Sequence, residues 1–211
     1  MSGPIDIVLC IHNAFRRDTL EIDATAFRTA RSGGDMTGVL DRLKITGEIL
    51  DYHARGEEEA VFPAVDNVAP LVAKAYFLDH RELDIMVAGL EAMRIAPDPL
   101  AVARATAVLN AFLRIHLNKE DAHLYPILRE RMAEDEQKSI VGLMARKVPS
   151  DKMPTLTRWL FPLLGHDDRA VITRGWMTLM PPQVFAGIKP LIKETLAGDW
   201  VELTRRIPEL N

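Results

Sequence analysis

Apolar residues along the first 133 positions recur at three- and four-residue intervals, the spacing of an α-helix that buries one face. Strand-type alternation is missing and Ala, Leu, Glu, Arg and Met dominate, so the pattern predicts an all-α fold. Four long segments emerge. The first runs from about Ile5 to Arg31 and stops at Ser32-Gly33-Gly34; Asp35 can cap the second, about Met36 to Val65. The third spans about Pro70 to Ile95, ahead of Pro97-Asp98-Pro99, and the fourth about Leu100 to Met132. At 1.5 Å per residue each is roughly 35–50 Å long. Short connections between them predict an antiparallel up-down four-helix bundle over residues 1–133.

From Glu134 the pattern changes. Pro149, Pro154, Pro162, Gly165, Pro181-Pro182, Pro190, Gly198 and Pro208 break it into short pieces, and Trp159, Trp176 and Trp200 all lie there. Residues 134–211 read as additional short C-terminal helices packed on the bundle, because so short a segment builds only a marginal core alone.

Ionisable residues sit where the bundle stripes call for apolar ones. His12 lies on the stripe Val8, Phe15, Thr19, Ile22, and His80 on Ala73, Phe77, Asp84, Val87. His53 and Glu57 share a face with Leu43, Leu50 and Ala60; His116 and Glu120 share one with Leu109, Phe112, His123 and Ile127. A buried carboxylate costs several kcal/mol unless a cation or strong donors meet it. The stretches HARGEEEAVFP (53–63) and HLNKEDAHLYP (116–126) repeat one another, and His12 precedes His80 by 68 residues. The pattern His…His-x3-Glu therefore occurs twice, as a two-helix duplication. Four imidazoles and two carboxylates converging in a bundle suit two metal ions bridged by the carboxylates. A single structural zinc would strand two of the six, and mixed nitrogen and oxygen donors favour iron or manganese, with iron ahead. His123 breaks the duplication, since Ala60 occupies its counterpart position, and it reads as a seventh ligand or a donor to one. Glu58, Glu59 and Asp121 fall away from the inward stripe and read as a solvated face. Tyr125 can be a redox-active or hydrogen-bonding neighbour of the site, but Phe62 opposite it in the duplication favours packing; Cys10 and the methionines read as packing.

His12, His53-x3-Glu57, His80 and His116-x3-Glu120, with EEEAVFP and EDAHLYP following, resemble the hemerythrin-like, HHE cation-binding family over roughly residues 5–133. The resemblance implies a non-haem di-iron centre, oxo- or hydroxo-bridged, in a four-helix bundle. Members bind oxygen, handle peroxide or nitric oxide, or sense iron and oxygen. Oxygen carriers place a second histidine where this chain has Asp84, which argues against reversible oxygen carriage. Around VPSDKMPTLTRWLFPLL (148–164) the chain also resembles the helical extension beside hemerythrin domains of plant iron-responsive ubiquitin ligases; with one cysteine it has no zinc-binding set of its own.

A net charge of −4 with no Lys/Arg block gives no reason to expect nucleic acid or an anionic membrane as partner. No 18-residue uncharged apolar run predicts a spanning helix, and no basic region precedes the apolar start, so no secretory leader is expected. A single cysteine, Cys10, permits no intrachain disulfide and fits a cytoplasmic setting. The leading expectation is a cytoplasmic di-iron protein, monomer or homodimer, that binds and reduces hydrogen peroxide, nitric oxide or dioxygen. Such an enzyme would be a di-iron peroxidase or catalase, or would reduce nitric oxide. The alternatives are a non-enzymatic iron or oxygen sensor acting through the C-terminal helices, and oxygen or iron storage.

Overall fold

The computed structural model describes residues 3–211, all helices and connections with no strand among the described residues. Helix α1 (Ile7–Ser32) ends where the sequence predicts. Gly33 adopts φ 65°, its N–H bonds Ala30 O and that of Gly34 bonds Thr29 O, closing the last turn in the left-handed conformation glycine permits. Asp35 then accepts the Thr37 N–H, opening α2 (37–68). A left-handed turn at Leu71 (φ 73°) delays α3 to Ala73–Ala92, inside the predicted span. Asp98 caps α4 (Pro99–Arg131), accepting from the Leu100 and Ala101 N–H groups, with Pro99 in the first turn where its missing donor costs nothing. Each helix packs on the next and α4 closes on α1, which completes the four-helix bundle.

The C-terminal segment folds as α5 (Glu134–Ala145), α6 (Met153–Leu163), α7 (His166–Leu179), α8 (Pro182–Leu196) and α9 (Trp200–Arg206). Helices α6 and α7 lie along α1, and one continuous core joins Phe15 and Leu113 of the bundle to Leu160, Phe161 and Ile192. At Gly175 a Cβ would stand 2.3 Å from Ile7 Cδ1, so glycine lets α7 approach α1. Trp159 makes the most specific link. Its indole N–H donates to the buried Asp18 carboxylate at 2.7 Å, where Arg42 and Thr46 also bind, and its ring packs on Phe15. Trp159→Phe keeps the bulk but removes a donor from a buried charge, a loss of about 1.5–3 kcal/mol. For a chain of this length the thermal midpoint should fall by about 3–12 °C; an unchanged melting curve would rule the link out as a stabilising one.

Contrary to the sequence expectation, one helix is long and apolar enough to cross a membrane: Pro99–Arg131. In the bundle it lines the shared core with one face. Val102, Leu109, Leu113 and Leu117 are buried, and it packs against α1 and α3.

Candidate metal centre

All four bundle helices aim ionisable groups at one interior point. His12 comes from α1, His53 and Glu57 from α2, His80 from α3, and His116 and Glu120 from α4. His53 is 9% exposed and the other five between 0 and 2%. The donor atoms form two clusters, His12–His53–Glu57–Glu120 and Glu57–His80–His116–Glu120, each with its ligand atoms within 4.8 Å of one another. Both glutamates belong to both clusters, so each carboxylate lies between two binding positions.

The donors are placed for a cation rather than for one another. Glu57 Oε2 and both oxygens of Glu120 are buried with no hydrogen-bond partner. The nearest imidazole nitrogens stand 3.3–3.9 Å from the carboxylate oxygens. His12 Nε2 and His53 Nε2 lie 3.0 Å apart, within hydrogen-bond distance of each other and close enough to bind a common ion. Buried unpartnered carboxylate oxygens are costly, and neutral imidazole with carboxylate is a donor set that divalent iron or manganese accepts. The residues fit the cation that the arrangement implies.

The electrostatics of the side chains alone tell the same story. Burial opposes ionisation of both glutamates. At Glu57 the surrounding imidazoles of His53, His12 and His80 outweigh burial and hold the carboxyl well below its ordinary range. At Glu120 burial, reinforced by the Glu57 charge, pushes the carboxyl well above it. Burial lowers His53, and lowers His116 to about 4. Burial also opposes protonation of His12 and His80, but carboxylate contacts overcome it and raise both. The site holds one negative charge easily and two only with added positive charge.

Two residues assigned to a solvated face belong to this site. The His12 Nδ1–H donates to Asp121 at 2.7 Å, and the His80 Nδ1–H to Glu58 at 3.1 Å. His116 Nδ1 lies 3.2 Å from Asp79, on α3, which the sequence reading did not single out. Each of these carboxylates is held in turn by a cation: Arg16 on Asp121, Arg81 on Glu58 at 2.6 and 2.7 Å, and Lys119 on Asp79. Such partners fix the ring and its tautomer and leave Nε2 free to bind. Glu59 does face outward, paired with Lys147.

The helix itself explains why Tyr125 turns inward and His123 outward. At Glu57–Val61 and Glu120–Leu124 the backbone makes π turns: the Phe62 N–H bonds Glu57 O and the Tyr125 N–H bonds Glu120 O, five residues back. Pro63 and Pro126 follow directly and lack the N–H that a regular helix would use, which is why both repeats end in an aromatic residue and proline. The widened turn brings the fifth residue round to the face of the first. Tyr125, read as packing, is therefore fully buried with its hydroxyl donating to Glu57 Oε1. His123 is correspondingly carried outward. It is exposed and in neither donor cluster, so its expected role as a ligand or a donor to one is not met. The aromatic-Pro pair was the available signal, but it does not announce a π turn.

Asp84 pairs with Arg81 at the surface, Tyr52 bonds Glu48 away from the site, and His166 is exposed at the start of α7. Cys10 is buried as expected, and burial pushes its thiol up to about 12.

An up-down bundle that carries two histidine–carboxylate clusters with shared glutamates defines a bundle metalloprotein. The chain belongs to the hemerythrin HHE cation binding domain family, whose model matches residues 3–128. Its site is accordingly a cation-binding one. Curated relatives include a BRUTUS-like zinc finger protein of Arabidopsis thaliana, 23% identical over 192 residues covering 86% of this chain. Zinc finger protein BRUTUS of the same plant is 25% identical over 173 residues covering 79%. Both shares exceed that of the family match, so the likeness runs on into the C-terminal helices. The chain spans only 14–15% of the length of these relatives. No solved structure matches it.

Proposed function

We propose that the centre holds two iron ions and that the protein binds and reduces a small oxidant, hydrogen peroxide, nitric oxide or dioxygen. The observation that carries this reading is the sharing of Glu57 and Glu120 between two donor clusters, with three of their four oxygens unpartnered. When bound, an iron pair supplies one-electron redox chemistry at an open coordination position. The chain's part is to hold the donors, orient the imidazoles through their carboxylate partners, and exclude bulk water.

A route for small molecules supports the reading. A cavity of about 270 Å³ between α2 and α3 includes His80 in its lining, with Leu50, Ala54 and Val87 as apolar wall. Asp51 and Asp84, both exposed, stand on it as well. An apolar passage with acidic residues favours small neutral oxidants over anions. Ala54→Phe should slow the reaction with peroxide or nitric oxide severalfold while metal content stays at the wild-type level; an unaltered rate would remove this cavity from the path.

The test of the function is metal analysis with an optical spectrum. About two irons per chain, a ferric absorption band that changes with peroxide or nitric oxide, and turnover lost in His53→Ala and Glu120→Ala are the expected results. Iron-loaded protein that leaves both oxidants unconsumed would overturn the enzyme reading.

A second reading has its own observation. Phe15 packs on the His53 ring at 5.5 Å and on Trp159 at 5.0 Å, so a side chain at the site touches α6 directly. In a sensor, cation occupancy would be read out by the C-terminal helices. A cation-dependent change in Trp159 fluorescence without turnover would favour it.

A further inference from the structure

The duplication makes it possible to compare the two cation positions residue by residue. Glu58 and Asp121 are counterparts, as are His80 and His12, and they make matching Nδ1 hydrogen bonds. The symmetry then fails twice. Asp79, which supports His116, has Ile11 as its counterpart 68 residues earlier, and Ile11 offers no acceptor. Among the described residues, the carboxylate within ion-pair distance of His53 is Glu57 itself, and the His53 ring rests on Phe15 instead. Second, Tyr125 has Phe62 as its counterpart. Phe62 packs on His80 at 5.1 Å and has nothing to donate, whereas Tyr125 donates to Glu57.

Which oxygen Tyr125 meets matters. Glu57 Oε1 faces His53 at 3.3 Å and His12 at 3.8 Å, while Oε2 faces His80 at 3.4 Å. The phenol therefore draws electron density from the oxygen that serves the His12/His53 position. Both broken symmetries act in the same direction. The His80/His116 position has two imidazoles made more basic by carboxylates; the His12/His53 position has one, a weakened carboxylate oxygen, and the most exposed histidine of the set. Removing the partner of a ligating histidine typically costs 10–100-fold in affinity.

We infer that the two cation positions are unequal: the one built by His80 and His116 binds first and retains its ion, and the one built by His12 and His53 binds second and exchanges, with Asp79 and Tyr125 setting the difference. This rests on the two-cation reading above. It makes Asp79 and Tyr125 positioning residues, acting through His116 and Glu57.

The experiment is a titration of the metal-free protein with cobalt(II), followed by calorimetry and by the visible cobalt bands, so that no turnover is needed. Wild-type protein should bind in two steps separated by about 10–100-fold. Asp79→Asn should weaken the first step by a similar factor and leave the second in place, narrowing the gap. Tyr125→Phe should strengthen the second step alone. A single step with two equivalent ions, an equal weakening of both steps by Asp79→Asn, or two steps unmoved by both substitutions would each overturn the inference. One ion bound, with an affinity that depends on Asp79, would retain the order of strength and sink the two-cation reading; one ion indifferent to Asp79, or none, would sink both.

Discussion

Stripping the cations with a chelator at neutral pH will lower the thermal midpoint by tens of degrees. A ligand that binds only the folded chain stabilises it by about 4 kcal/mol when its free concentration is a thousandfold above Kd. If the centre holds two such ions, as proposed, they give about 8 kcal/mol, and at ~2–4 °C per kcal/mol for a chain of this length the fall is about 16–32 °C. The physical source is the core carboxylates. Without positive charge, burial and the Glu57 charge oppose ionisation of Glu120, and three of the four oxygens have no partner. Circular dichroism melts with and without chelator check this, and a shift under about 5 °C would mean that the ions contribute little to the fold. The same linkage sets a pH dependence. Binding needs neutral imidazoles, and carboxylate contacts raise His12 and His80 above the ordinary value of about 6.5. The ions will therefore be released progressively as pH falls through the range in which those two rings protonate, ahead of His53 and His116, which burial lowers.

Glu120→Gln should have effects of opposite sign in the two states. Glu120 belongs to both donor clusters, so losing its charge removes a ligand from both positions at once. Affinity should fall beyond the roughly 10–100-fold typical of losing a ligand's hydrogen-bond partner, and purified protein should retain less than half its metal. In the cation-free protein the same change removes the group whose ionisation burial and the Glu57 charge oppose most strongly. An isosteric amide there should be neutral or stabilising relative to metal-free wild type, as when a buried charge is replaced by an uncharged group of equal volume. Paired denaturation curves, loaded and metal-free, test both halves. Destabilisation of the metal-free form would show that Glu120 has a structural role beyond holding the ion.

Much of this molecule was legible one residue at a time. Helical periodicity gave the bundle, Gly33-Gly34 and Pro97-Asp98-Pro99 gave its connections, and the two inward His-x3-Glu pairs together with the inward His12 and His80 marked which six side chains meet. These features are local: a turn signal and a face of a regular helix follow from neighbours three or four positions away.

The supports around the six donors were not legible in the same way. Glu58, Asp79, Asp121 and Tyr125 act across helices, so which imidazole or carboxylate each one meets depends on how α1 to α4 pack. Two π turns also suspend the 100° rule over the very residues that follow each ligating glutamate, turning His123 out and Tyr125 in. Likewise α6 is linked to α1 by apolar packing and by an indole that reaches the buried Asp18 from a distant part of the chain. The sequence alone determined the number and kind of donors, because a helix repeats regularly. Only the tertiary structure decided their partners, and with them the inequality of the two halves, because those contacts join helices whose relative placement no local spacing encodes.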